Sequence, residues 1–195
     1  FAPIGYQADR LPLLRGGTDI RPYSTPSTQW AIARAAIKKP LEWYLAPKLL
    51  VVKSTGRLQA TLDMHGHIVL QTLYILHLRT IERSEDDLFF FLALLYSRLL
   101  QRYIYVLYTA YKWVQPQIEQ HVLASLPIPL VPQEEKQRII ERAKLLMRAC
   151  RGQGAVVEWG EHVQNLYEEQ ERAVCTLYAS ALAGLFVDRG VKCNG

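Results

Sequence analysis

Pro47-Lys48-Leu49-Leu50-Val51-Val52-Lys53-Ser54-Thr55-Gly56-Arg57-Leu58-Gln59-Ala60-Thr61-Leu62-Asp63 is the most telling stretch of this chain. Its first half is an apolar run bounded by proline and a Ser-Thr-Gly turn, the pattern of a mostly buried strand. From Arg57 the pattern alternates, placing Arg57, Gln59, Thr61 and Asp63 on one side of a second strand and Leu58, Ala60 and Leu62 on the other. A β-hairpin with one wet face is predicted. Met64-His65-Gly66-His67 then turns the chain into Ile68 to Leu78, whose β-branched and aromatic residues suit one or two further strands.

Downstream the character changes to helix. Ser84-Glu85-Asp86-Asp87 offers an N-cap and an acidic first turn ahead of Leu88 to Leu95, predicting a helix that runs to about Tyr105. Arg98 and Arg102 interrupt the apolar run from Leu88 to Tyr111, so it reads as a buried helix with a wet stripe and not as a membrane span. Ile118 to Ser125 suits a short helix before the extended Leu126-Pro127-Ile128-Pro129-Leu130. Pro132-Gln133-Glu134-Glu135 opens a helix through Met147, Arg151-Gly152-Gln153-Gly154 breaks it, and a longer helix follows over roughly 156–186. Upstream, the first forty residues are rich in turn formers around Arg15-Gly16-Gly17-Thr18-Asp19-Ile20-Arg21-Pro22-Tyr23, and Trp30 to Ile37 suits a short helix ended by Lys39-Pro40. The expectation is an α+β chain: a small mixed β-sheet and hairpin domain with packed helices over 1–130, then a helical hairpin over 131–195 serving as spacer or docking element.

Net charge is +5, and the excess is N-terminal: residues 1–83 hold 11 Lys/Arg against 5 Asp/Glu, and residues 131–195 hold 9 of each. A localised positive field of this kind attracts polyanions such as nucleic acid. The three cysteines, Cys150, Cys175 and Cys193, are far apart, which suggests neither a disulfide framework nor a zinc cluster and suits a reducing cytoplasm. The start at Phe1 has no signal-peptide pattern and suggests a piece of something longer.

Three groups of side chains are candidates for polyanion contact. Arg15, Arg21 and Tyr23 can contact phosphates or stack on a base, or Arg15 and Asp19 can simply tie their loop together. Lys48, Lys53 and Arg57 flank the hairpin and can grip a phosphate backbone, while Arg57 and Gln59 are the types that read guanine and adenine edges; the alternative is a solvated sheet face. His65 and His67 flank Gly66 at a hairpin tip that touches DNA or solvent, with too few neighbouring ligands for a metal.

Four pieces in order resemble the C-terminal target-recognition domain of TaqI-like adenine-N6 DNA methyltransferases, which is related to the specificity subunits of type I restriction systems. They are Arg15 to Tyr23, similar to the family's Arg-Gly-x-x-Ile entry; Pro47 to Val51; Leu94-Leu95-Tyr96-Ser97, with Tyr96 where relatives usually have Asn; and Leu126-Pro127-Ile128-Pro129 followed by Glu134 to Ile139. The likeness spans roughly 11–150. It implies a non-catalytic module, in a prokaryotic cytoplasm, that positions double-stranded DNA for a methyltransferase domain of the same chain, type II or IIG-like, with or without a fused nuclease. No cofactor is then expected in this fragment, S-adenosylmethionine belonging to the methyltransferase domain. In keeping with that, the chain has neither an Asn/Asp-Pro-Pro-Tyr/Phe loop for a flipped adenine nor a glycine-rich cofactor loop. Two rivals stand: a metal-dependent nuclease, for which no Pro-Asp with a following Asp/Glu-x-Lys is found, and a helical subunit-interaction module.

Overall fold

The computed structural model of the protein describes residues 2–3, 9–53, 57–78, 84–109, 117–150 and 160–188. The strands are β1 (Ala2–Pro3), β2 (Arg10–Leu14), β3 (Trp30–Ala33), β4 (Lys48–Val52), β5 (Ala60–Asp63), β6 (Ile68–Val69) and β7 (Leu73–Leu76). The α-helices are α1 (Glu85–Tyr96), α2 (Arg98–Ile104), α3 (Gln120–Ala124), α4 (Gln133–Ala149) and α5 (Glu161–Asp188). Two sheets form: a mixed one of order β1-β3-β2-β6, parallel only between β2 and β6, and an antiparallel one of order β5-β4-β7. The chain is α+β, as its sequence predicts.

β4 is central in its sheet and buried along its whole length. Leu49 and Val51 point into a core shared with α1, α4 and α5, while Leu50 and Val52 point into a second core against β2 and β6. The order is therefore helices, three-stranded sheet, four-stranded sheet. This layering overturns the wet face expected on the second hairpin strand. Thr61 and Asp63 are fully buried, Thr61 donating to the Ser24 carbonyl, because that face is covered by the other sheet and its loops. It also overturns the short helix expected from Trp30. Trp30–Ala33 is a strand between β1 and β2, followed by a single 3-10 turn over Arg34–Ala36; cross-strand pairing outweighs local helix preference in this segment.

The long helix expected up to about Tyr105 is broken. Ser97 is extended (ψ 138°), and its Oγ donates to the Leu94 carbonyl and accepts from the Leu100 N–H, ending α1 and capping α2 with a bend of 60°. The break lets two side chains reach the outer edge of β5 and of the extended residues just ahead of it. The Tyr96 hydroxyl donates to the Ala60 carbonyl (2.6 Å) and accepts from the Ala60 N–H (3.2 Å). The Gln101 amide does the same for Leu58, at 2.8 and 2.9 Å. Alternate residues of an edge strand thus have both backbone groups satisfied by side chains, in place of a further strand.

α5 braces the same break. Glu171, almost fully buried, accepts the Arg98 N–H at 2.8 Å, and the Tyr167 hydroxyl donates to the Tyr96 carbonyl at 3.1 Å. Farther along, Tyr178 reaches back to the Pro127 carbonyl, just ahead of α4. α4 is tied to α1 by the ion pairs Lys136–Asp87 and Lys144–Asp86. The glycine loop expected between α4 and α5, like the Ser54–Gly56 turn, lies outside the described residues. Among the described residues no single helix is long and apolar enough to cross a membrane.

At one end of β4 lies a buried ionic cluster. Lys48 and Asp63, partners across the β4–β5 pair, are both fully buried; the Lys48 ammonium donates to Asp63 Oδ2 (2.5 Å) and to the Tyr44 carbonyl (2.7 Å). Asp63 also accepts the backbone N–H groups of His65 and His67 and the His67 Nδ1. Gly66 lets the chain turn this tightly: its φ is +74°, and a Cβ there would lie 3.3 Å from the Tyr44 carbonyl oxygen. Burial alone would raise the Asp63 pKa, but the bonds from His67, Lys48 and the His65 N–H outweigh it and hold the carboxyl well below the usual carboxylate range.

Two expectations follow for stability. Tyr96→Phe strands the Ala60 N–H and C=O in a buried place, so denaturant unfolding should show a loss of about 1–3 kcal/mol. For Asp63 the folded pKa is depressed, so its contribution is complete above the unfolded value of about 4 and drains away as pH falls below it. Asp63→Asn, which leaves the Lys48 charge unpaired, should cost about 3–5 kcal/mol at pH 7 and flatten stability against pH between about 4 and 2, measured by urea denaturation at each pH.

Candidate nucleic-acid interface

The loops after β2, after β4 and before β7 meet at the end of the two sheets opposite the Lys48–Asp63 cluster. They are stitched together by main-chain and hydroxyl bonds: Leu70 N–H to Leu14 O, Lys53 N–H to Thr72 O, Val52 N–H to Gln59 O, and Thr72 Oγ to Arg15 O. Gly17 allows the close approach, since a Cβ there would sit 3.2 Å from Val52 Cγ1 and 3.4 Å from Gln59 Oε1. The junction carries Arg15, Lys53, Arg57 and Gln59, which come from three separate segments. Arg15 and Arg57 are exposed and Lys53 and Gln59 half-buried.

Local bonds orient two of these cations. The Arg15 N–H donates to Asp19 Oδ2 at 2.6 Å, so the acid ties the loop, while the Arg15 guanidinium lies 4.3 Å from the centre of the Trp30 ring. The Lys53 ammonium sits 4.3 Å from the Tyr74 ring centre. Beside the junction a groove of about 750 Å³ runs between the hairpin and α2, lined by Arg57, Gln59, Arg98, Arg102, Tyr105 and Tyr167 among others. It has no acidic residue among its described lining. Arg98 is held by Glu168 of α5, an ion pair that raises the guanidinium pKa and lowers that of the carboxylate; Arg102 lies 5.6 Å from the Tyr105 ring centre. A guanidinium-lined groove of this size can take phosphates bidentately and bases against its tyrosine rings.

Arg98 and Arg102, expected as a solvated stripe, are thus groove-wall residues. Their spacing of four put them on one helical face; what the sequence did not show is that the Ser97 break aims that face at the hairpin. Of the other expected contacts, Arg21 is half-buried next to Pro22, which also lines the groove. Three expectations are corrected. Tyr23 is fully buried at φ 50°, its ring 5.2 Å from that of Tyr96, and cannot stack on a base. Burial pushes its hydroxyl pKa well up, and that hydroxyl has no hydrogen-bond partner among the described residues. Lys48 is fully buried and His67 nearly so, both turned onto Asp63, so neither presents a surface to a phosphate. His65 is exposed but lies with them at the end of β4 away from Lys53. No group of three or more His, Cys, Asp or Glu that could hold a metal occurs among the described residues.

Among solved structures, the chain is similar to one from work on complex assembly and conformational transition of the type I R-M system, at 18% identity and a TM-score of 0.47. The match covers 92% of this chain and 38% of that one, so this chain spans well under half its neighbour's length. No curated protein matches. The model of the TaqI-like C-terminal specificity domain matches residues 11–128, from β2 through the groove-forming α2 to the segment just after α3. With more than half its length matched in that way, the chain belongs to the TaqI-like C-terminal specificity domain family.

Proposed function

We propose that this chain is the sequence-reading module of a restriction-modification DNA methyltransferase, type II or IIG-like, and that it carries no catalytic centre of its own. The observation that carries the reading is the convergence, within a specificity-domain fold, of Arg15, Lys53, Arg57 and Gln59 on one loop junction beside a groove walled by Arg98 and Arg102. Double-stranded DNA is the partner. Arg15 and Arg102 contact phosphates and fix register; Arg57 and Gln59 face base edges, where a good bidentate pair discriminates by roughly 1–3 kcal/mol. In this reading an adenine methyltransferase domain, with its S-adenosylmethionine, and any nuclease domain belong to the rest of the protein, in a prokaryotic cytoplasm.

The test is anisotropy binding to a randomised duplex pool at several salt concentrations, with sequencing of the bound fraction. A steep salt dependence with an enriched short sequence is expected, and Arg57→Ala should relax the preference at one position. An unchanged specificity profile in Arg57→Ala would remove that residue from base reading. Absence of binding even at low salt would favour a helical subunit-interaction module instead.

A further inference from the structure

A second groove, of about 820 Å³, opens on the flank of the three-stranded sheet beside β7, floored by the β6–β7 segment and closed by α3. Lys38, Lys39, Trp43, Lys53, Tyr74 and Gln120 are among its lining residues, and no acidic residue is among the described ones. Lys39 holds its ammonium 5.0 Å from the Trp43 ring centre and Lys53 holds its own 4.3 Å from that of Tyr74. Trp43 is nonetheless 53% exposed.

This arrangement differs from that of five other cations. Lys48, Lys136, Lys144, Arg98 and Arg138 each sit in an ion pair with a carboxylate. Lys39 and Lys53 are in none among the described residues; aromatic rings hold them close enough that burial and then the Lys39 charge depress the Lys53 pKa. Like charges gathered without a counter-charge cost the folded protein free energy, and an anion lying between them relieves that cost. An exposed indole beside them adds a flat apolar face that suits a sugar or a base. Lys53 belongs both to this groove and to the loop junction, so the groove continues the DNA-facing end around the sheet edge.

We infer that this groove is a clamp for the sugar-phosphate backbone of the DNA flanking the recognised sequence, with Lys38, Lys39 and Lys53 as phosphate contacts and Trp43 packed on a deoxyribose or base. The inference rests on the DNA-reading function proposed above. It divides the labour: the arginine side discriminates sequences, and the lysine groove adds affinity for all of them.

The test measures Kd against salt for the full chain and for Lys38→Ala, Lys39→Ala and Trp43→Phe, together with tryptophan emission on adding duplex. Each lysine variant should lower the slope of log K against log salt by about one and weaken every sequence alike, leaving the enriched sequence unchanged. Duplex should quench emission in the wild-type chain and less so in Trp43→Phe, and thermal melts should show the variants folded. Wild-type binding and enrichment with unaltered slopes and an unaltered quench would overturn the clamp while leaving the recognition function standing. A quench produced by inorganic phosphate at matched ionic strength but not by duplex would also overturn it, marking a free-anion site. Failure of the wild-type chain to bind any duplex would instead overturn the recognition function itself.

Discussion

The outer edge of β5 is closed by side chains. Tyr96 and Gln101 each offer a donor and an acceptor to a single backbone residue, Ala60 and Leu58 respectively. An uncovered edge strand leaves such groups to water or to another chain, and their burial without partners would be costly. Closing it this way constrains much else. Tyr96 must be the last residue of α1 and Gln101 must lie in the next helix, which demands the break at Ser97. The break frees the Tyr96 carbonyl and the Arg98 N–H, and α5 satisfies both through Tyr167 and Glu171. Sheet, bent helix and C-terminal helix are therefore joined by one chain of hydrogen bonds. Tyr96 is central to it.

Local pattern was legible where it coincided with packing. β4 was readable because Leu49 to Val52 is apolar on both faces, and both faces are in fact covered. α1 began where Ser84 and the acids after it said it should, and α4 kept to its proline-led boundary. The failures arose where long-range partners decide. Alternation from Arg57 to Asp63 looks half-wet, but Asp63 finds Lys48 across the ladder, and a paired, hydrogen-bonded charge can be buried where a lone one cannot. Trp30 to Ala33 has no local signal strong enough to announce that it pairs with Arg10 to Pro12.

The proposed interface was legible in composition but not in geometry. An N-terminal cationic surplus pointed to a polyanion, yet it could not distinguish Lys48, buried in an ion pair, from Lys53 at the other end of the same strand. Nor could it join Arg57 with Arg102, which are brought to one groove by the bend at Ser97. Tyr23 shows the same limit from the other side, since a tyrosine in a glycine- and proline-rich loop looks available and instead plugs the core against Tyr96.

The brace supplied by α5 bears on how such a module can be transplanted. The family-matched span stops at residue 128, whereas Tyr167, Glu168 and Glu171, which fasten the groove wall, come from far beyond it. A chimera that exchanged residues 11–128 alone would carry the reading surface away from its fasteners and leave the Arg98 main chain and the face of α1 to improvise with foreign partners. For this chain the exchangeable cassette is the surface together with its brace, so a workable graft boundary lies past the α5 contacts and not at the limit of the recognisable sequence.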